Sequence, residues 1–428
     1  MKTQETIALL RAYESRNVML AEPDGSWPIV WERAKGVHVW DAEGQKYLDL
    51  TSAFGVAAAG HANPNVIKAG QRQMGRLLHA MGDVHPHALK ARLARELSRL
   101  TFERWNGGSG KVIFGSSGFE SVESALKTAM LATKKGGVVV FEGGYHGLGY
   151  GALSATHRDH FRSPFRSQLR EFGSFAPFPK KASGLAAVEF QVRHHFRRER
   201  IGAILVEPVQ ARGGINIPPP GFLPLLRKLA DELGVLLIFD EIYTGFGRTG
   251  KWFACEHSGV VPDLICLGKA LTGGFPLSAC VGRADLMDAA WPASTGEAIH
   301  TSTFLGHPVG CAMALAQIAE IEKLKLPDRS ADLGTYLLGL LEQEIPGLKH
   351  RVEIRGSGLM AGVELLKRDG QPATADALHA IKTMLHRGYI LLPEGEHGNI
   401  ISLTPPLTIT RVQLAKTVKE LARVLNRA

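Results

Sequence analysis

The chain has 428 residues, 45% of them hydrophobic and 21% charged, which is typical of a globular protein with one large and one smaller domain. Its apolar runs fall short of the roughly 20 residues of a membrane span, and its N-terminus lacks a signal-peptide core. We therefore expect a cytoplasmic protein that does not bind membranes. The formal net charge of +9 comes partly from the basic segments 157–170 and 193–200, a loop and a solvated helix face, and we expect no nucleic-acid partner.

The cysteines and histidines do not form the patterns of a disulfide framework or a metal site. None of the four cysteines has Cys-x-x-Cys spacing, and Cys266 and Cys280 lie in apolar runs, so we expect reduced, buried thiols. The 17 histidines include no helical His-Glu-x-x-His pattern. We predict no metal ion.

The two ends of the chain differ from its middle. Residues 38–50 contain two short strand-like runs around a polar Glu43-Gly44 turn, which predicts a hairpin. After about residue 330, two long helical patterns flank strand-like runs at 358–364 and 399–403. We assign both ends to one domain. The predicted domains are residues 1–60 and 330–428 for the smaller one and 61–329 for the large one.

In the middle, short apolar runs alternate with amphipathic helical patterns. This alternation predicts an α/β fold with a mainly parallel sheet and helices on both faces. The predicted strands are 111–114, 137–141, 201–207, 235–240, 264–267 and 278–282, and the predicted helices are 120–133, 185–198, 221–233 and 308–324.

The first of these strands runs into a Gly- and Ser-rich turn, Gly115-Ser-Ser-Gly-Phe-Glu120, and then into a helix. Free backbone N–H groups at such a helix N-terminus bind phosphate. Ser117 adds a hydroxyl and Gly118 allows close approach. The turn matches neither of the common nucleotide-binding glycine patterns, and the alternative is a simple capped turn.

Two later strands end with further candidate groups at the same sheet edge. Tyr145 follows the second strand on a Gly-flanked loop, where its ring could stack on a planar ligand or simply pack. The third strand ends in Glu207-Pro-Val-Gln210, which offers an acid and an amide near a phenolic oxygen of such a ligand.

Asp240 and Lys269 end the next two apolar runs, each beside a Gly-rich turn. Carboxyl ends of strands face the ligand crevice of an open α/β sheet, so both residues are predicted to lie over one site. Pyridoxal phosphate needs a lysine for its aldehyde and an acid beside its ring nitrogen. The alternative is a buried ion pair, but Gly268 and the Thr272-Gly-Gly-Phe-Pro276 run favour the cofactor.

Six segments resemble, in order, the motifs of the class III aminotransferases, which are pyridoxal-phosphate enzymes of fold type I. The resemblance extends from Trp31 to Ile409, nearly the whole chain. The segments are Gly115-Ser-Ser-Gly-Phe-Glu-Ser-Val-Glu-Ser-Ala-Leu-Lys127, Tyr145-His-Gly147, Glu207-Pro-Val-Gln210, Asp240-Glu-Ile-Tyr-Thr-Gly-Phe-Gly-Arg-Thr-Gly250, Gly268-Lys-Ala270 and Thr303-Phe-Leu-Gly-His-Pro308.

The resemblance implies a role for each matched position. Lys269 would bind the cofactor covalently, Asp240 would face the pyridine nitrogen, and Ile242 and Tyr145 would lie on opposite faces of the ring. The remaining positions implied to contact the cofactor are His146, Glu207 and Gln210, together with Ser117, Gly118 and the backbone of Phe119 at its phosphate. Thr303 would reach the phosphate bound by the other subunit, which implies a homodimer with active sites at the interface.

The implied reaction is a ping-pong transamination from a small amine donor to an oxo-acid acceptor such as pyruvate or 2-oxoglutarate. Two positions that carry a carboxylate-binding Arg in many members are Leu148 and Ser402 here. The nearby 393–398 loop contains Glu394 and Glu396, which could favour a cationic or polyhydroxylated substrate. We therefore expect a donor whose amino group is remote from any carboxylate, such as an ω-amino acid, polyamine, amino sugar or amino alcohol.

Several alternatives stay open at this stage. Arg162 or Arg166 could bind a substrate carboxylate, which would make the protein a 4-aminobutyrate- or ornithine-type aminotransferase. Aminomutases and a decarboxylase share the fold and the motifs. A basic binding protein that retains the fold without activity is the non-enzymatic alternative.

Overall fold

The computed structural model describes residues 1–22, 25–106, 108–345 and 350–427. The strands within these ranges are β1 Trp31–Lys35, β2 His38–Asp41, β3 Lys46–Asp49, β4 Gly110–Gly115, β5 Gly137–Phe141, β6 Gly173–Ala176, β7 Ile201–Val206, β8 Leu236–Asp240, β9 Leu264–Leu267, β10 Ser278–Arg283, β11 Arg351–Ser357, β12 Met360–Leu366, β13 Tyr389–Ile390, β14 Leu392–Glu394 and β15 Ile400–Leu403. The α-helices are α1 Thr3–Tyr13, α2 Ser52–Gly55, α3 Pro64–Met74, α4 Ala88–Leu100, α5 Phe102–Asn106, α6 Gly118–Thr133, α7 Tyr150–Ala155, α8 Asp159–Arg162, α9 Leu185–Arg198, α10 Phe222–Leu233, α11 Ala284–Ala290, α12 Pro308–Lys323, α13 Leu326–Glu344, α14 Thr374–His386 and α15 Arg411–Arg427.

Seven strands form the large sheet, in the order β4-β10-β9-β8-β7-β5-β6. Six of them are parallel, and β10 runs antiparallel between β4 and β9. All six predicted strands are present, and β6 at the edge is an additional one. The predicted α/β fold with a mainly parallel sheet is confirmed.

Both faces of this sheet are covered, which is why its strands are short apolar runs without polar alternation. Alternate residues of β5 enter two different apolar clusters. Val138 and Val140 pack with the cluster that contains α6, whereas Val139 and Phe141 pack with the cluster that contains α9 and α10. The four cysteines are buried and free, as predicted.

The two ends of the chain meet through strand pairing. The predicted hairpin is present as β2 and β3, and β13 from the C-terminal region pairs in parallel with β3. These strands belong to a four-stranded sheet, β1-β2-β3-β13, and a third sheet, β11-β12-β15-β14, is antiparallel and packs against α13 and α14. Three helices, α13 to α15, lie in the C-terminal region where two were predicted, while the domain boundaries near residues 60 and 330 stay predictions.

None of the described helices is both long enough and apolar enough to cross a lipid bilayer.

Candidate active site

Five loops meet at the carboxyl-terminal edge of the large sheet, directly after β4, β5, β7, β8 and β9. They surround a cavity of about 380 Å³. The parallel direction of these strands brings the loops together, because each strand delivers its last residues to the same edge. The lining residues are Gly118, Phe119, Tyr145, His146, Gly147, Leu148, Glu207, Ala211, Arg212, Asp240, Ile242, Tyr243 and Lys269.

Lys269 borders the cavity just after β9. Its backbone φ is +43°, a left-handed conformation that costs energy in a non-glycine residue and is typical of functional positions. Its Nζ lies 4.6 Å from the centroid of the Tyr243 ring. Burial lowers the pKa of the amine, although the charges of Asp240 and Glu207 oppose this effect. The buried amine therefore loses its proton more readily than an exposed lysine.

Asp240 ends β8 as a buried carboxylate that is only 4% exposed. Its Oδ2 lies 2.8 Å from His146 Nδ1, and its Oδ1 accepts a hydrogen bond from the Ile242 backbone N–H at 3.1 Å. Burial alone would lower the pKa of His146, but the hydrogen bond and the charge of Asp240 outweigh it and raise the pKa. The pair fixes a negative carboxylate at the base of the cavity.

Ile242 forms one wall of the cavity between two glycines. A Cβ atom at Gly118 would lie 3.1 Å from Ile242 Cδ1, and one at Gly268 would lie 3.3 Å from Ile242 Cγ2. Both contacts are tighter than ordinary van der Waals contact. The glycines beside the phosphate turn and before Lys269 therefore make room for this side chain next to the cavity.

The turn after β4 keeps two backbone donors free. Glu120 Oε2 accepts hydrogen bonds from the N–H groups of Ser116 and Ser117, at 2.6 and 2.7 Å. In the described part of the chain, the N–H groups of Gly118 and Phe119 at the start of α6 have no acceptor. These two donors and the helix dipole suit an anion at the cavity's edge.

The acid and the amide that follow β7 behave differently. Glu207 lines the cavity, accepts the Tyr145 N–H at 2.9 Å, and has a pKa raised by burial to about 7. Gln210 is buried outside the lining. Its amide donates to the Glu142 carbonyl at 2.7 Å and accepts from Asn216 at 2.9 Å. The structure thus brings Glu207 to the cavity and holds Gln210 behind it.

Three other predicted positions lie in distinct places. Leu148 lines the cavity and is 48% exposed. Ser402 is buried in β15, paired with Leu392 and Gly362. Thr303 lies in an exposed turn outside the lining.

The two arginines considered as carboxylate ligands are already paired. Arg162 Nη2 lies 3.0 Å from Glu171, and Arg166 forms an ion pair with Asp159. Neither arginine lines the cavity. The structure does not bring them to the cavity.

Comparison with known proteins identifies the family. The family model "Aminotransferase class-III" matches residues 19–425. The chain belongs to the class III aminotransferases. It is 37% identical to an acetylornithine aminotransferase of Methanosarcina mazei, over 92% of this chain and 91% of that protein. It is also 37% identical to a putrescine aminotransferase of Pectobacterium atrosepticum, over 99% of this chain and 89% of that protein.

A solved structure agrees with this assignment. The amine transaminase of an uncultivated Pseudomonas species, determined in its pyridoxal-phosphate-bound form, superimposes with a TM-score of 0.88 and 29% identity. The match covers 97% of this chain and 98% of that one. This class III aminotransferase is therefore a fold type I enzyme that depends on pyridoxal phosphate and uses an amine donor and an oxo-acid acceptor.

The residues of the aminotransferase cavity fit that cofactor. The free N–H groups of Gly118 and Phe119 suit its phosphate, while Lys269 supplies an amine for its aldehyde. Asp240 supplies a buried negative charge for its ring nitrogen. The fit rests on these two N–H donors, which have no acceptor among the described residues, and on Gly118 and Gly268, which leave room for Ile242 in the cavity wall.

Two residues of this aminotransferase site were missed from the sequence. Tyr243 stands beside Lys269, and Arg212 lies over the Tyr145 ring with Cζ 5.4 Å from its centroid. Glu394, which the sequence did indicate, is buried near Arg212. Arg212 follows Gln210 by two positions and precedes two glycines, a strand-end turn like those that revealed the other loops. This strand-end position is the sequence feature from which Arg212 could have been predicted as a site residue.

Proposed function

We propose that this aminotransferase binds pyridoxal phosphate through Lys269 Nζ, with Asp240 at the ring nitrogen and Ile242 and Tyr145 on opposite faces of the ring. The observation that carries the proposal is that the lysine and the buried aspartate line one cavity. When bound, the cofactor supplies a ring that accepts the electrons of the substrate carbon. His146 acts as a positioning residue, because its hydrogen bond to Asp240 Oδ2 fixes the orientation of that carboxylate.

Lys269 is the proton carrier in this proposal. Because burial lowers its pKa, its amine loses its own proton more readily than an exposed lysine and can take a proton from the carbon of the amine donor and give one to the carbon of the oxo-acid acceptor. The negative charge of Asp240 would favour a proton on the ring nitrogen of the bound cofactor. Glu207 lies near both groups and keeps the Tyr145 loop in place through the Tyr145 N–H.

We propose that the donor carries its amino group remote from any carboxylate. Leu148 offers the cavity an apolar side chain instead of a guanidinium, and Ser402 is buried in a strand. The similarity to a putrescine aminotransferase supports a diamine donor. The similarity to an acetylornithine aminotransferase supports the amino-acid alternative, in which the donor also bears a carboxylate.

We also propose a homodimer in which Thr303 contacts the phosphate of the other subunit. An exposed apolar face supports this assembly. It consists of Met74, Leu77, Leu78, Met81, Val84, Ile299 and Phe304. Thr301 Oγ1 donates to Asp83 at 2.6 Å, and the His79 ring lies 5.4 Å from the Phe304 ring, so the two segments form one face beside Thr303. A second copy that covers this face would bury it.

A cytoplasmic location and the lack of a nucleic-acid partner stay predictions from composition alone.

A donor panel tests the proposed function. The cofactor-loaded enzyme is mixed with 1,4-diaminobutane, 5-aminovalerate, ornithine and alanine, each without acceptor, and conversion of the cofactor to its amine form is followed by absorbance. We expect conversion by the first two compounds at least about tenfold faster than by alanine. A strong preference for alanine would contradict the donor class, and no conversion by any amine would contradict transamination.

A further inference from the structure

Arg212, which lines the cofactor cavity, faces Glu394 just outside the lining. The Arg212 guanidinium lies over the Tyr145 ring, and its Nε is 3.8 Å from Glu394 Oε2. Glu394 comes from β14, far away in sequence, and is only 4% exposed. Burial raises the pKa of Glu394, while the charges of Arg212, Arg158 and Lys269 act to lower it. A second pair of opposite charges thus lies next to the cavity of Asp240 and Lys269.

The two atoms that face each other lack hydrogen bonds. Arg212 Nε and Glu394 Oε2 are both buried, and neither has a hydrogen-bond partner within the described residues. Buried polar atoms are almost always hydrogen-bonded, so these two atoms leave a guanidinium and a carboxylate beside the cavity available to a bound ligand. At 3.8 Å the pair is close enough for charge attraction and too far for a hydrogen bond.

The backbone of Arg212 is fixed while its guanidinium is free to move. Its carbonyl accepts hydrogen bonds from Arg158 Nη2 at 2.7 Å and from the Gly395 N–H at 3.2 Å. The side chain is 34% exposed, and the described contacts give its guanidinium no hydrogen bond. Rotation about its side-chain torsions can therefore turn the guanidinium toward Glu394 or toward a ligand without moving the loop.

Transamination brings opposite charges into this one cavity in turn. The donor amine arrives as a cation, whereas the oxo-acid acceptor arrives as an anion whose carboxylate needs a positive partner. Among the described lining residues, the basic side chains are Lys269, His146, whose ring is held by Asp240, and Arg212. Arg212 is the one of these three that is not engaged in the cofactor chemistry.

We propose that Arg212 binds the carboxylate of the oxo-acid acceptor, and that Glu394 balances its charge when a carboxylate-free amine occupies the cavity. This assignment rests on the proposed transamination. A guanidinium binds a carboxylate through two parallel hydrogen bonds, which Lys269 and His146 cannot offer. The Arg212–Glu394 pair thus lets one cavity accept a cationic donor and an anionic acceptor without a separate site for each.

The two half-reactions distinguish this role from a structural one. The acceptor half-reaction is measured with the enzyme in the amine form of the cofactor. Arg212→Gln should raise the apparent dissociation constant of pyruvate or 2-oxoglutarate in this half-reaction about 100-fold. The half-reaction of the aldehyde form with 1,4-diaminobutane should change by less than about threefold. Arg212→Lys, which keeps the charge and loses the paired hydrogen bonds, should give an intermediate value.

Glu394→Gln should change the affinity for the oxo acid in the opposite direction to Arg212→Gln. Removal of the competing carboxylate should strengthen binding of the oxo acid about threefold to tenfold and weaken binding of 1,4-diaminobutane by a similar factor. Damage to the fold would weaken both ligands together. Glutarate, a carboxylate that cannot react, provides a readout without turnover, because calorimetric titration of the cofactor-free chain should show the same order of affinities.

Arg166→Gln is the matched control, since Arg166 is paired with Asp159 outside the cavity and should leave every value unchanged. The proposal is overturned if Arg212→Gln binds oxo acids and glutarate like the wild type, if both half-reactions fall equally, or if Glu394→Gln weakens both ligands. If Arg212→Gln does not fold, Arg212→Lys and Glu394→Gln decide. Failure of every amine with the wild type would contradict the proposed function alone, because the acceptor and glutarate measurements would still test Arg212.

Discussion

Asp240→Asn removes the negative charge from the base of the cavity and leaves the shape of the side chain nearly unchanged. In the wild type both carboxylate oxygens accept hydrogen bonds, one from His146 Nδ1 and one from the Ile242 N–H. An amide offers a single acceptor oxygen. Either His146 or Ile242 therefore loses its partner, and the charge that supports the raised pKa of His146 disappears. We expect the pKa of His146 to fall, because the charge of Asp240 no longer opposes the effect of burial and only the charge of Glu207 still does.

The expected effects on stability and on rate differ in size. A buried donor without an acceptor costs about 1–3 kcal/mol of unfolding free energy, and the smaller desolvation cost of the amide offsets part of this. The lost charge would otherwise stabilise the cofactor's protonated ring nitrogen in a water-poor cavity. Electrostatic contributions of this kind are worth about 3–4 kcal/mol, so the donor half-reaction should slow by roughly 10²–10³-fold.

Single-turnover mixing of cofactor-saturated enzyme with 1,4-diaminobutane measures this rate, and denaturation of the cofactor-free chain measures the stability. Asp263→Asn is the control, because Asp263 is equally buried but pairs with Arg227 and Arg283 and accepts the Leu237 N–H near the start of β8. It should lose stability and keep its rate. A rate for Asp240→Asn within about threefold of the wild type would refute the role assigned to the carboxylate.

Three further predictions address the lysine, the donor and the assembly. Burial lowers the pKa of Lys269 below its ordinary 10.5, so this lysine binds its proton more tightly in the unfolded chain than in the folded one. The unfolding free energy of the cofactor-free wild type should therefore increase relative to that of Lys269→Met as the pH rises toward 10.5. The same pH dependence of unfolding free energy in both proteins would contradict this. Leu148→Arg should raise kcat/KM for an aminodicarboxylate donor about tenfold or more relative to 1,4-diaminobutane, and an unchanged ratio would refute the proposed role of this position. Leu78→Asp, in the exposed apolar face, should give a monomer by light scattering, whereas Val412→Asp, equally exposed on α15, should not; a monomeric wild type would contradict the proposed dimer.

The fold was predictable where the sequence pattern reflects burial on both faces. The strands of the large sheet are continuous apolar runs that end in Gly-rich turns, so their positions and their common edge followed from the sequence. The edge strand β6, with the sequence Gly-Ser-Phe-Ala, is too short and too polar to show such a pattern. Strands β13 and β14 have only two and three residues, too few to show a pattern, and β13 pairs with β3 from the other end of the chain.

The site was predictable where each residue stands directly at a strand end. Lys269, Asp240 and the phosphate turn follow that rule, and the structure places them at one cavity. The position of Gln210 was not predictable, because its amide satisfies a backbone carbonyl that becomes buried only in the folded protein. Arg212 and Glu394 meet across 182 positions of sequence, and no local pattern encodes such a contact.

The central claim is that the cavity of Lys269 and Asp240 transfers an amino group, and absorbance of the bound cofactor tests it most directly. Addition of 1,4-diaminobutane alone should convert the cofactor to its amine form in one turnover, and a later addition of pyruvate or 2-oxoglutarate should restore the original spectrum with one equivalent of amino acid formed. Lys269→Ala should abolish both changes. No spectral change with any amine, an isomerised amine product, or release of carbon dioxide without amino-acid formation would contradict the claim.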